Sequence, residues 1–200
     1  MADKIYLTSD WHFNHDREFI WKARGFSSVQ EMNEVIIQHH NALVRPGDDV
    51  YVLGDSSLGG GDTQILAANK ALIERLNGRL HIIRGNHDTD RRVAMYESCK
   101  NVVGPVLYAD MLHYKGYHFY LSHFPTLTSN LEKESLKQCT CNLFGHTHQT
   151  TNFHLDIPYL YHVGVDSHNC YPVLIDDIIE EMNKKVRECI EFLGEEEDYK

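Results

Sequence analysis

Two hundred residues, 42% hydrophobic and 24% charged, make one ordinary globular domain with room for a sizeable core. No apolar run approaches the ~18–20 residues of a membrane span, and the opening Met1-Ala2-Asp3-Lys4 carries no secretory apolar stretch. A net charge of −10 without a basic stripe argues against an extended nucleic-acid surface. Five scattered cysteines form no even disulfide framework and point to a reducing, cytoplasmic setting.

Short apolar runs alternate with amphipathic stretches, the order of an α/β protein. Lys4–Ser9 reads as a strand. Ser28–Leu43 reads as a helix with Ser27 or Ser28 as N-cap and Val29, Met32, Ile36 and Leu43 near one face. Asp49–Leu53 is a strand after the turn Pro46-Gly47-Asp48. Thr63–Leu76 is a helix closed by Asn77-Gly78. Leu80–Arg84 is a strand and Thr89–Ser98 a helix. Val106–His113 and His118–Ser122 form a hairpin around Lys115-Gly116. Asn130–Lys137 is a short helix; Asn142–Phe144 and Tyr159–Val163 are strands. Asp176–Leu193 is a helix with Ile178, Ile179, Met182, Val186 and Ile190 on its apolar side. Ten acids against four bases lie between Asp176 and Lys200. This order predicts a single domain over residues 1–193 and an acidic, frayed C-terminal tail over 194–200.

The chemistry lies where polar residues follow the strands. Asp10-Trp11-His12 follows the first, Gly54-Asp55 the second and Gly85-Asn86-His87-Asp88 the third. His123 follows the hairpin, and Gly145-His146-Thr147-His148 follows the strand at Asn142. In α/β sheets ligands gather at the carboxyl ends of strands. Carboxylate, amide and imidazole brought to one crevice make the mixed N/O donor set of a dinuclear divalent site. An alternation of period two would place Asp10 with His12, and His146 with His148, on one side. A glycine before Asp55, Asn86 and His146 lets the backbone turn and come close.

These five motifs, in this order from Asp10 to His148, resemble those of the calcineurin-like metallophosphoesterase superfamily: D-x-H, G-D, G-N-H-(D/E), a lone His and G-H-x-H. The resemblance covers about three quarters of the chain. It implies two mixed β-sheets packed as a sandwich flanked by helices, in four αββα layers. It implies one metal held by Asp10, His12, Asp55 and His148, and another held by Asp55, Asn86, His123 and His146. Two ions clamping phosphate oxygens and sharing a water would generate the attacking hydroxide. His87, oriented by Asp88, would protonate the leaving oxygen. Manganese is favoured among Mn, Fe, Zn, Co and Ni. The stretch around Asn14 resembles small bacterial-type phosphoesterases, in which His15 and Arg17 would touch a small phosphorylated substrate. The Arg that follows Gly-Asp in protein phosphatases is missing from Gly54-Asp55-Ser56-Ser57, and Asp88 stands where they carry Glu.

The expected function is therefore a metal-dependent phosphoesterase, acting on phosphodiesters of nucleotide type. The alternatives are a phosphomonoesterase of a small metabolite and a non-catalytic metal-binding module on the same fold. A metallo-β-lactamase-like enzyme would need an early His-x-His-x-Asp-His run, which this chain lacks. Other histidines carry no chemistry at this level: His39 and His40 fall within a helix. Cys139-Thr140-Cys141 is a poor zinc site without a second thiol pair. The Asp166-Ser167-His168-Asn169 loop follows a strand and belongs to the rim of the site or to a structural turn.

Overall fold

The computed structural model describes residues 3–60, 62–128 and 135–197, with backbone alone from residue 190 onward. Its first sheet holds β1 (Ile5–Thr8), β2 (Asp49–Leu53), β3 (Arg79–Ile83) and β8 (Val173–Leu174) in the order β3-β2-β1-β8. β1, β2 and β3 run parallel and β8 runs antiparallel to β1. The second sheet holds β4 (Ala109–Tyr114), β5 (Tyr117–Ser122), β6 (Thr140–Phe144) and β7 (Leu160–His162) in chain order. There β4 and β5 form the antiparallel hairpin, with Lys115 and Gly116 in left-handed conformation at its turn, and β5, β6 and β7 are parallel. Two mixed sheets flanked by helices are the architecture expected above.

The helices follow their sequence signals closely. α1 is a single turn at Glu18–Trp21, with no counterpart in the sequence reading. α2 spans Val29–Leu43, and the Ser28 hydroxyl accepts from the Glu31 amide as its N-cap. α3 spans Thr63–Ile73 behind Asp62, whose carboxylate accepts from two amides of the first turn. α4 spans Asp90–Glu97. α5 spans Ile175–Glu197, four residues beyond the expected end at Leu193. Gly194 costs a helix about 1 kcal/mol, too little to stop one followed by three glutamates of good propensity. Most of the helix expected over Asn130–Lys137 lies outside the described residues, and Ser135–Lys137 are not helical.

Two cores hold these layers. Alternate residues of the parallel strands, Tyr6, Val50, Val52, Leu80 and Ile82, face Met32, Ile36, Ile73 and Tyr96 of α2, α3 and α4. The intervening residues Leu7, Leu53 and Ile83 face Phe119, Leu121, Leu143 and Tyr161 of the second sheet. Ile178 and Met182 of α5 join that inter-sheet core. The two sheets are thereby fixed with the carboxyl ends of five parallel strands at one edge of the sandwich. Leu143 is fully buried in this core. Leu143→Ala should therefore lower unfolding free energy by about 2–5 kcal/mol in urea titration. Met111→Ala, on an exposed side chain, should stay within about 0.5 kcal/mol.

Candidate metal centre

Each motif residue lies just past a strand's carboxyl end: Asp10 and His12 after β1, Asp55 after β2, and Asn86 and His87 after β3. His123 follows β5, and His146 and His148 follow β6. The ligands do not lie within the strands. Asp10, His12, Asn14, Asp55, His146 and His148 have left-handed backbone, with φ between 49° and 67°. Such non-glycine conformations cost of order 1–3 kcal/mol each and persist only where the surroundings over-determine them. Here the β1–β2 pairing runs on past the strands. The Asp10 amide donates to Gly54 O at 3.0 Å, His12 to Asp55 O at 3.0 Å and Phe13 to Ser56 O at 3.2 Å. An asparagine chain fixes the next turn: Asn33 donates to the Asn14 side-chain oxygen at 2.9 Å, and Asn14 to Asn69 at 2.7 Å. Two glycines matter here for close approach. A Cβ on Gly85 would collide with the Asp55 carboxylate, and one on Gly145 with Ser9 and the Asp10 carboxylate.

The seven expected ligand residues converge on one crevice. His12 Nε2 lies 3.2 Å from His148 Nε2, 3.9 Å from Asp10 Oδ1 and 3.8 Å from Asp55 Oδ2. His148 Nε2 is likewise 3.9 Å from Asp10 Oδ1. Beside this group, Asn86 Oδ1 lies 2.8 Å from His123 Nε2 and 2.9 Å from His146 Nδ1, and His123 Nε2 lies 3.4 Å from Asp55 Oδ2. Asp55 therefore borders both groups. His146 turns Nδ1 inward, whereas His12, His123 and His148 turn Nε2. His123 Nδ1 donates to Leu53 O at 2.8 Å, so Nε2 is the nitrogen turned to the crevice.

A cation fits this cluster. Asp10 Oδ2 accepts from Ser9 Oγ at 2.5 Å and from the His146 amide at 3.0 Å, but Asp10 Oδ1 is buried with no hydrogen-bond partner. An isolated buried carboxylate oxygen is costly, and the mixed oxygen and imidazole donors around it suit a divalent ion. Burial pushes the Asp10 carboxyl up. Burial also acts to raise Asp55, but its bond with His123 and the charges nearby outweigh it and hold Asp55 down to about 2. His12 is pushed down to about 2 by burial and by the Arg24 charge. The Asp55 carboxylate and the His12 imidazole thus stand in the forms that bind metal.

Two further residues complete this cluster. Arg24 donates to both Asp166 oxygens, at 2.8 and 2.9 Å, and to Asp10 O at 2.9 Å and Trp11 O at 3.3 Å. Asp166 Oδ2 in turn meets His148 Nδ1 at 2.8 Å. Asp166 stood in the sequence only as a rim residue, and nothing local marked Arg24.

Asp88 does not take the place expected of it. Its carboxylate accepts from the Asp55 amide at 2.9 Å, the Gly85 amide at 2.8 Å and Tyr96 Oη at 2.7 Å. These three donors pin the β2 and β3 loops together through the buried group, which is turned to them and not to the His87 ring. His87 is held through its backbone: its amide donates to Asp55 Oδ1 at 2.9 Å, and its carbonyl accepts from Arg92. The His87 side chain is 45% exposed, with Nε2 4.0 Å from Asp55 Oδ2. His15 packs behind His12, Nδ1 to Nδ1 at 3.3 Å, and burial and the His87 charge push it down to about 4. His15 and His87 both line a cavity of about 420 Å³ beside the cluster. Arg17 is exposed at the start of α1 and does not line it.

The family model of calcineurin-like phosphoesterases matches residues 3–138. An uncharacterized protein of Methanocaldococcus jannaschii is 35% identical over 193 residues, spanning 90% of this chain and 92% of its own length. Among solved structures, a protein of unknown function from Aquifex aeolicus superposes with a TM-score of 0.65. It is 22% identical, over 90% of this chain and 99% of that one. A phosphoesterase from E. coli is 18% identical over 80% and 78% of the two chains, with a TM-score of 0.43.

Asp55→Asn removes the charge that borders both ligand groups, so bound metal per chain, measured by elemental analysis after dialysis, should fall. Retention of the wild-type stoichiometry would refute the shared role. Asp166→Ala frees the His148 ring; metal affinity by calorimetric titration should drop about 10–100-fold. Asp166→Asn, which keeps an acceptor for His148, should lose less.

Proposed function

Because the chain belongs to the calcineurin-like phosphoesterase family and is a metal-dependent phosphoric ester hydrolase, we propose that it hydrolyses phosphodiesters of nucleotide type. The observation that carries the diester reading is the commitment of the cations around the site. A phosphomonoester brings a second negative charge and calls for a free basic clamp. Arg24 is spent on Asp166 and two carbonyls. Arg84 is spent on Asp88 O, Tyr108 and Asp90, and Arg92 on the carbonyls of His87 and Gly59. A diester, with one charge, asks less of the protein. The half-apolar cavity beside His87 supports the nucleotide class.

Asp10, His12, Asp55 and His148 would hold one divalent ion, and Asp55, Asn86, His123 and His146 a second; manganese suits this donor set. Such ions supply charge that activates water and offsets the charge developing on phosphate oxygens. The chain's own residues do the rest. Asp55, Asp10 and Asn86 set the ligand frame, and Asp88 fixes that frame by tying the loops of Asp55 and Gly85. His87, half-exposed at its ring and anchored at its backbone, gives a proton to the leaving oxygen. His15 meets the substrate from the cavity wall, whereas Arg17 stands outside that cavity and takes no part in holding the phosphate. The substrate is small, since no basic stripe is present to hold a longer nucleic acid. None of the helices among the described residues is long and apolar enough to cross a membrane. Cys99, Cys141, Cys170 and Cys189 are free thiols, which supports a cytoplasmic setting.

With Mn²⁺ present, bis-p-nitrophenyl phosphate should be cleaved faster than p-nitrophenyl phosphate, and chelation should abolish both. A preference for the monoester would overturn the diester reading. Binding of two metals without cleavage of either would favour the non-catalytic module. His87→Ala should leave metal binding intact and cut turnover of a dinucleoside monophosphate about 10²–10⁴-fold. Its cost should be smaller on the nitrophenyl ester, because nitrophenolate leaves with little protonation. Equal losses on the two substrates would remove His87 as proton donor.

A further inference from the structure

α1 contributes little to the stability of the fold. It is four residues long, has no side-chain cap, and buries only Ile20. Its place beside the metal-ligating cluster gives it another use. Phe19, Ile20 and Ala23 form the apolar lining of the 420 Å³ cavity, which His15 and His87 also line. That volume lies within the ~300–1,000 Å³ of small-molecule sites. Phe19 is 69% exposed, and its ring meets the His15 ring edge-on, at 87° and 5.6 Å between centroids. The His15 ring continues to the His87 ring at 6.4 Å. An aromatic face is thereby left open within two rings of the group that would protonate the leaving oxygen.

The walls restrict the occupant. The cavity's one guanidinium, Arg24, is engaged by Asp166 and by the carbonyls of Asp10 and Trp11. His12 and His148 also line the cavity, so the phosphate belongs at that ligand end, and the part of the occupant against Phe19, Ile20 and Ala23 meets an apolar surface. An acyl chain would need a longer trough than one helical turn, about 5.4 Å, provides. A bare sugar would set its hydroxyls against Phe19, Ile20 and Ala23, which offer no side-chain partners. A flat, uncharged ring satisfies the exposed Phe19 face by stacking.

We infer that the cavity bounded by α1 is the leaving-group pocket, and that the group leaving through it is a nucleoside, its base stacked on Phe19. The inference rests on the reading of the site as a phosphodiesterase with His87 as proton donor. In the hydrolysis, the bond from phosphorus to the nucleoside oxygen breaks and a bond from phosphorus to a water oxygen forms. His87 gives its proton to the departing oxygen, and the water releases a proton to solvent. Phe19 is a specificity residue in this scheme. It selects which of the two ester bonds is cut.

The methyl ester of thymidine 5′-phosphate tests the assignment. Its two leaving groups are alkoxides of similar basicity, so intrinsic chemistry chooses weakly between them. The metal-loaded enzyme should release thymidine and methyl phosphate in preference to thymidine 5′-phosphate and methanol. Phe19→Ala should reduce that preference about 5- to 100-fold, the range of a lost base–aromatic stack, and Phe19→Tyr should keep it. Thymidine should also bind the metal-free protein, followed by calorimetry, and Phe19→Ala should weaken that binding by a similar factor. Cleavage on the methyl side, or a product ratio and thymidine affinity unmoved by Phe19→Ala, would overturn the pocket. No cleavage of either bond, with Phe19-dependent thymidine binding intact, would overturn the phosphodiesterase reading and leave the pocket standing.

Discussion

The constraint on which the rest of this structure depends is the burial of two carboxylates, Asp10 and Asp55, in one crevice. Each loses most of its hydration there, and each repels the other. The protein offsets part of that cost with donors: Ser9 and the His146 amide on Asp10, the His87 amide on Asp55. One oxygen of Asp10 is left without a donor, turned toward His12 and His148. A fold optimised for stability alone would not keep that oxygen. Its persistence makes sense if the native state is completed by divalent cations, so that part of the free energy holding these loops is binding energy. The left-handed backbone at Asp10, His12, Asp55, His146 and His148 belongs to the same balance. Strain at five ligand-bearing positions is tolerable only where something else over-determines them.

What over-determines them is the sandwich. The inter-sheet core fixes β1, β2 and β3 against β5 and β6, so their carboxyl ends meet at one edge. Small polar anchors then set the loops to within a bond length. Asp88 joins the amides of Asp55 and Gly85, and Tyr96 joins Asp88 to Ser57. Arg24 joins Asp166 to the carbonyls of Asp10 and Trp11. Tyr96 comes from α4 and Arg24 from the segment after α1, elements with no ligand of their own, whereas Asp88 lies in the loop that carries Asn86. Their work is to keep the distances between ligands short while the ligands themselves repel.

Which of these features was legible in the sequence follows from how local their causes are. The strands β1, β2, β3 and the helix α2 are declared by periodicity and caps within their own residues. The motif residues are declared by glycines and by their position after apolar runs. The reason offered for their spacing was not the operative one: alternation in a strand did not bring Asp10 and His12 together. Left-handed residues beyond the strand did, and no local signal announces them in residues other than glycine. The family resemblance implied Asp88 as a partner for His87. In space its carboxylate is drawn to two amides and a tyrosine hydroxyl, contributed from positions 55, 85 and 96. Arg24 and Asp166 are 142 residues apart, and a pairing at that range leaves no trace in either neighbourhood. α1 is one turn without a side-chain cap, below the length at which periodicity can be read.

The net charge of −10 also has less to do with the site than its size suggests. Most of the excess lies in the acidic run from Asp176 onward, and α5 carries it against the hairpin turn and the second sheet, where Asp176 meets Tyr114 and Lys115 and Glu181 meets Tyr161. Fields from exposed charges fade over about 8 Å at physiological ionic strength. At the crevice only uncompensated charges count. Asp88 faces two amides and a tyrosine hydroxyl and not the ligand groups, and Asp166 is neutralised by Arg24. That leaves Asp10 and Asp55, two negative charges against the four that two divalent ions would bring. An acidic protein can therefore present a locally positive site to an anionic ester, but only with its ions in place. That excess of two charges does not by itself choose between a mono- and a diester, so any choice falls to groups outside the ligand frame, where Arg24, Arg84 and Arg92 are already committed.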